Sequence, residues 1–160
     1  LKIGVDVPFC LTGGTCLAEG IGEELTKLND FVWNDILIVK PGFSMSTEFV
    51  YNRLTPDYYN LYEINGMLNY ISLCDYKNTT ISTRNTLERV VEKFHPEIID
   101  IKEMMMQKGA LSSLMTGSGS AVFGLFPNRK SLEVAYTKIS SIYHQTFITG
   151  TTTEGTKLFV

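Results

Sequence analysis

Leu114-Met115-Thr116-Gly117-Ser118-Gly119-Ser120-Ala121-Val122-Phe123-Gly124-Leu125-Phe126 sets a small polar core, Thr-Gly-Ser-Gly-Ser, between two apolar runs. Leu111 to Met115 and Ala121 to Phe126 both have strand character, so the segment reads as an antiparallel hairpin closed by a glycine-rich turn. Glycines let backbone N–H groups point outward with no side chain in the way. Such a turn can form an anion-binding concavity beside a phosphate. A plain β-turn accounts for the same residues without a ligand. Far upstream, Gly4-Val5-Asp6-Val7-Pro8-Phe9-Cys10 puts an acidic residue just ahead of a proline. That is a helix-start signal, with Asp6 in the cap position.

The chain between these two stretches alternates strand and helix signals. Gly13-Gly14 turns it, Thr15 to Glu19 reads as a short strand, and Glu23 to Leu28 fits strand or helix. Ile36-Leu37-Ile38-Val39 has the composition of a buried strand, stopped by Pro41-Gly42. Ser44 to Thr47 supplies cap residues for a short helix over Glu48 to Leu54. A longer helix starts at Asp57, with Leu61, Ile64, Leu68 and Ile71 on one face and Tyr58, Tyr62 and Met67 widening it. Asp75 to Thr83 reads as a polar loop. Leu87, Val90, Val91 and Phe94 follow helical spacing, with Asn85 as their cap. His95-Pro96 opens the next helix, which carries Ile98, Ile101 and Met105 and ends at Gly109. The Met104-Met105-Met106 run reads as core filler. Beyond the hairpin come a helix from Asn128, a strand over Gln145 to Gly150 and a closing strand over Thr156 to Val160. This order predicts an α+β fold: a two-layer sandwich, antiparallel sheet with helices on one face, related to the ferredoxin-like plan.

Composition narrows the functional classes. The chain has 160 residues, is 44% hydrophobic and carries a formal net charge of −3, enough for one core and without the basic face a nucleic-acid partner selects. No apolar run approaches a membrane span, so no membrane partner is expected. Three cysteines, Cys10, Cys16 and Cys74, and two isolated histidines, His95 and His144, make no metal-ligand set. An odd cysteine count argues against a disulfide framework and predicts the reducing cytoplasm. The opening Leu1-Lys2-Ile3-Gly4 has no helix cap or signal-peptide character, and looks like the interior of a domain.

Six pieces, taken in order, resemble one family. They are Gly4 to Phe9, Gly13-Gly14, Ala18 to Glu23, Lys40-Pro41-Gly42 with Ser46-Thr47, Asn85-Thr86-Leu87-Glu88, and Leu114 to Phe126. Together they resemble the C-terminal half to two-thirds of a GHMP kinase, and within that superfamily the branch that phosphorylates the 2-hydroxyl of a cytidine diphosphate-linked methylerythritol. The resemblance implies ATP as donor, Mg²⁺, a small-molecule substrate and a place in the non-mevalonate route to isoprenoid precursors. It implies that residues 1–30 are the tail of a first kinase domain and that 31–160 are the GHMP kinase C-terminal domain. Asp6 matches the family's catalytic aspartate. Gly117, Ser118, Gly119 and Ser120 match a loop on the ATP phosphate side, whose hydroxyls bond phosphate or a neighbouring loop. Tyr51 falls where the family can stack a ring on cytosine, or else packs on its own domain. Thr47 lines the same pocket or only caps its helix. Thr86 stands where many relatives have aspartate, which marks that segment as structural.

The family's upstream lysine and its phosphate loop at a helix start have no counterpart in these residues. The chain alone is therefore expected to be inactive and to bind ATP and Mg²⁺ weakly, with Leu1 to Leu28 partly disordered or packed in a way the family does not use. Two other readings stay open: a different GHMP-type small-molecule kinase, and an autonomous α+β ligand-binding module. Oligomeric state is not legible.

Overall fold

The computed structural model describes residues 4–59 and 64–157. The expected helix positions Leu61 and Tyr62, and the end of the expected closing strand at 158–160, lie outside the described residues.

Four strands form one antiparallel sheet in the order β4-β5-β3-β6. They are β3 (Ile36–Val39), β4 (Ser112–Met115), β5 (Val122–Leu125) and β6 (Thr146–Thr149). The four expected strand segments thus share one sheet, as the α+β sandwich requires. Central β3 pairs Val39 with Val122 on one side and with Thr146 on the other. Side chains alternate across the pleat. Leu37, Val39 and Val122 therefore face one layer and are fully buried there with Ile98, Ile101 and Met105 of α7 (Glu97–Gln107) and Leu132, Ala135 and Ile139 of α8 (Arg129–Ser140). Each such aliphatic side chain contributes roughly 1.5–3 kcal/mol by leaving water. Gly124 sits on the same face, and a Cβ there would fall 2.7 Å from Met105 Sδ. Glycine here lets α7 lie close against the sheet.

The opposite pleat face carries Ile36, Ile38, Phe123 and Leu125. It lines a cavity of about 650 Å³ across from Met67 and Ile71 of α4 (Ile64–Ser72) and Thr79 and Thr83 beside α5 (Tyr76–Ser82). α5 corrects the polar loop expected over Asp75 to Thr83. Asp75 caps it by accepting the Asn78 N–H at 3.0 Å. Thr79 and Thr80 are buried with their hydroxyls donated to Asp75 O and Tyr76 O one turn back. Those local bonds satisfy residues whose composition reads as loop.

At the N-terminal end, α1 (Val7–Thr12) is followed by an antiparallel pair, β1 (Cys16–Glu19) and β2 (Glu24–Lys27). Glu24–Lys27 is thus a strand, which resolves the ambiguity over Glu23 to Leu28. These elements are tied to the rest of the chain. Thr15 N–H donates to Asp30 Oδ1 at 3.1 Å, and Phe31 N–H donates to Thr15 Oγ1 at 2.8 Å. Thr156 N–H donates to Cys10 O at 2.8 Å. Residues 4–28 thus carry α1, β1 and β2 joined by turns; residues 1–3 of that segment lie outside the described residues. Thr156 and Lys157 are not in a strand; Thr156 bonds to α1 instead of a sheet edge.

Candidate functional site

The glycine turn joins β4 to β5. Thr116 N–H donates to Ala121 O at 2.8 Å and Gly119 N–H to Thr116 O at 3.0 Å, closing it. Gly117 and Gly119 both have positive φ, 54° and 92°, which L side chains rarely adopt. Among the described residues the Gly117 and Ser118 N–H groups have no backbone acceptor. The tip at Gly117 is exposed.

Two of the sequence-derived site residues meet here. Thr47 opens the short helix α2 (Thr47–Tyr51), capped by Ser46, whose Oγ accepts the Phe49 N–H. The hydroxyls of Thr47 and Ser118 lie 2.8 Å apart. Ser120 is buried and donates its hydroxyl to Phe43 O at 2.6 Å, so it braces the neighbouring loop. Lys40 Nζ donates to the same carbonyl at 2.5 Å and to Pro41 O at 2.8 Å. The Phe43 ring stacks on His95, centroids 3.9 Å apart. Tyr51 ends α2 with 56% of its surface exposed.

The upstream acid lies apart from this cluster. Asp6 occupies the cap position of α1, but its side chain makes no capping hydrogen bond, and it is exposed. One helical turn later Phe9 lines the cavity that Thr116, at the base of the glycine turn, also lines. The cavity therefore links α1 to the turn, and Asp6 itself is not among its walls.

Two residues at the start of α6 (Glu88–Phe94) reach the turn. Asn85 precedes this helix; its Nδ2 donates to Met115 O and to Gly117 O, each at 2.8 Å. Glu88 is buried, and its Oε2 accepts the Met115 N–H at 2.6 Å. Its other oxygen takes the Lys102 ammonium, which also donates to Glu92 at 2.7 Å. Burial works against the charge on Lys102, but the two carboxylates outweigh it and hold its pKa above the usual lysine value. The polar residue just before a helical pattern was visible; its reach across thirty positions is tertiary and carried no local signal.

Among the described residues no group of three or more acidic, histidine or cysteine side chains could hold a metal ion. No helix among them is long and apolar enough to cross a membrane. Cys10, Cys16 and Cys74 are free.

Residues 76–145, which run from α5 through the glycine turn and past the end of α8, match the family described as GHMP kinases C terminal. The chain carries a GHMP kinase C-terminal domain, and along nearly its whole length it resembles the C-terminal portion of 4-diphosphocytidyl-2-C-methyl-D-erythritol kinases. The protein of that name from Clostridium novyi is 41% identical over 94% of this chain and 54% of its own length. Its counterpart from Lachnoclostridium phytofermentans is 45% identical over 93% of this chain and 52% of its own length. The chain thus spans about half the length of the curated relatives it matches. A crystal structure of 4-(cytidine 5'-diphospho)-2C-methyl-D-erythritol kinase superposes with a TM-score of 0.77 at 25% identity, over 93% of this chain and 54% of that one. Homoserine kinase from Cytophaga hutchinsonii shares the fold, with a TM-score of 0.70 at 19% identity over 96% of this chain and 53% of that one.

Proposed function

We propose that this chain works as part of a longer ATP-dependent kinase that phosphorylates the 2-hydroxyl of 4-diphosphocytidyl-2-C-methyl-D-erythritol in the cytoplasm. Residues 1–30 are the tail of its first domain and 31–160 its second. The observation that carries this reading is the junction of α2 with the glycine turn through Thr47 and Ser118. It puts two hydroxyls beside two N–H groups that have no backbone acceptor among the described residues, in a chain whose similarity to such kinases extends almost end to end.

The turn fits an anion. Its outward N–H groups carry no side chain at Gly117, where a Cβ would meet nothing within 4 Å. Gly117, Ser118 and Gly119 would face the ATP phosphates, and Ser120 would hold the turn from behind. Bound ATP supplies the transferable phosphoryl group. Mg²⁺ ordinarily keeps its waters and would bind largely through the substrate phosphates, lowering their charge when bound. Asp6 accepts or orients the proton of the attacking hydroxyl, the acid–base help that a loose phosphoryl transfer uses. Tyr51, with its ring exposed, stacks on the cytosine, and Thr47 borders the same pocket.

The full-length protein, given ATP and Mg²⁺, is expected to phosphorylate the cytidine-linked alcohol and to leave homoserine and mevalonate untouched. Turnover of either of the latter in preference would move the protein to another GHMP activity. A second reading, a binding module without catalysis, draws on the apolar cavity bounded by Phe9, Ile38 and Phe123; tight ligand binding with no phosphoryl transfer would select it.

A further inference from the structure

The turn is aimed from outside its own hairpin. Asn85 divides its amide between two elements: Oδ1 accepts the Leu87 N–H at 2.9 Å at the start of α6, and Nδ2 donates to Met115 O and Gly117 O. A trans peptide is planar, with its C=O and N–H pointing in opposite directions. Gly117 C=O and Ser118 N–H belong to one peptide. Drawing that carbonyl toward Asn85 therefore turns the Ser118 N–H to the far side. Met115 is gripped at both ends, its C=O by Asn85 and its N–H by the buried carboxylate of Glu88. The Lys102 ammonium on the second Glu88 oxygen offsets the negative charge close to the turn.

We infer that Asn85 and Glu88 are positioning residues for phosphoryl transfer: they fix the peptide planes of residues 115–118 so that the turn's N–H groups face the phosphate. The inference rests on the kinase reading above. It assigns a role in the reaction to a segment otherwise readable as a helix cap.

Asn85→Asp separates the two roles. The carboxylate keeps the acceptor for Leu87 N–H and is favoured at a helix start, so α6 persists. Both donors to the turn are lost. In the full-length protein we expect amide hydrogen exchange at Thr116 and Gly119, whose N–H groups close the turn, to quicken about tenfold, with α6 amides unchanged. We expect kcat to fall about tenfold or more, in line with the sensitivity of transfer to small misplacements, while KM for the alcohol stays within about twofold. Glu88→Gln, which keeps an acceptor for Met115 N–H, should retain more turnover than Glu88→Ala. Unchanged exchange at the turn in Asn85→Asp overturns the inference, as does faster exchange with unaltered turnover. An unaltered protein that phosphorylates no alcohol sinks the kinase reading instead. Protection of the Gly117 and Ser118 amides by added ATP then decides whether Asn85 aims the turn at phosphate: its loss in Asn85→Asp upholds that aim, and its persistence, or its absence from the unaltered protein, overturns it.

Discussion

Gly117 and Gly119 share positive φ but not surroundings. A Cβ at Gly117 meets open space, whereas one at Gly119 falls 2.7 Å from Met115 Sδ. Gly117→Ala asks only that an L residue take a left-handed conformation, about 1 kcal/mol. Gly119→Val adds a branched side chain against Met115, itself buried, and should cost about 2–3 kcal/mol. In the full-length protein Gly119→Val is expected to lower turnover by far more than that loss of stability explains, because it distorts the turn proposed to face the phosphates. Urea titration set beside steady-state kinetics measures both, and wild-type turnover in this variant would remove the turn from the site. Lys102 matters differently. Lys102→Met leaves the Glu88 carboxylate buried without its cation, at about 3 kcal/mol. The raised pKa of Lys102 fixes the pH range of its contribution. Stability from a raised pKa is complete below the unfolded value and disappears as pH rises through the folded one. The contribution of Lys102 should thus be constant through neutral pH and decline only in strongly alkaline solution, measurable as the wild-type minus Lys102→Met difference across a pH series.

At the scale of elements, the four strands of the main sheet were legible because their composition is unambiguous, whereas Glu24–Lys27 fitted strand or helix and Thr156 and Lys157 read as a strand they do not form. Ile36 to Val39 alternates between two buried faces, and the runs flanking Thr-Gly-Ser-Gly-Ser allow one antiparallel pairing. α7 and α8 followed from Ile98, Ile101, Met105 and from Leu132, Ala135, Ile139 at helical spacing, and these six residues are fully buried. α5 was not legible. Tyr76 to Ser82 is rich in residues of modest helix propensity, and the bonds that hold it, from Asn78 N–H and the Thr79 and Thr80 hydroxyls, show no periodicity. The site was legible in part for a related reason. The glycine turn announces itself by composition, while Asn85 and Glu88 contribute through contacts that depend on the fold. α5 itself offers a test. Backbone and side-chain hydrogen bonds from Asn78 lower the Asp75 pKa. A lowered carboxylate pKa gives stability that is present above the unfolded value and lost as pH falls through the folded one. Asp75→Ala should therefore lower the urea midpoint at neutral pH and lower it less in acid below the folded carboxyl's pKa. An equal loss at both pH values would show that the cap acts without its charge.

At the scale of the molecule, the sheet separates two functions. One face with α7 and α8 is the core. The other, with α4, α5 and the N-terminal elements, borders the cavity that connects α1 to the glycine turn. Catalysis of phosphoryl transfer is mostly positioning and electrostatic stabilisation of the transferring group. What these residues would bring to it, on the proposed kinase reading, is a carboxylate at Asp6, two outward N–H groups and two hydroxyls. The cation beside the turn, Lys40, already donates to Pro41 O and Phe43 O, so its ammonium is spoken for by backbone carbonyls. The 160-residue chain by itself is therefore expected to transfer no phosphoryl group and to give no measurable ATP binding by calorimetry. The full-length protein is expected to do both, and to lose about a hundredfold or more in kcat on Asp6→Asn, which keeps the side chain's shape and removes its ability to take a proton. Stability should be little changed in that variant, since the Asp6 side chain makes no capping bond and is exposed. ATP-dependent phosphorylation of the alcohol by the isolated chain would overturn this division of labour, and undiminished turnover in Asp6→Asn would remove the aspartate from the reaction.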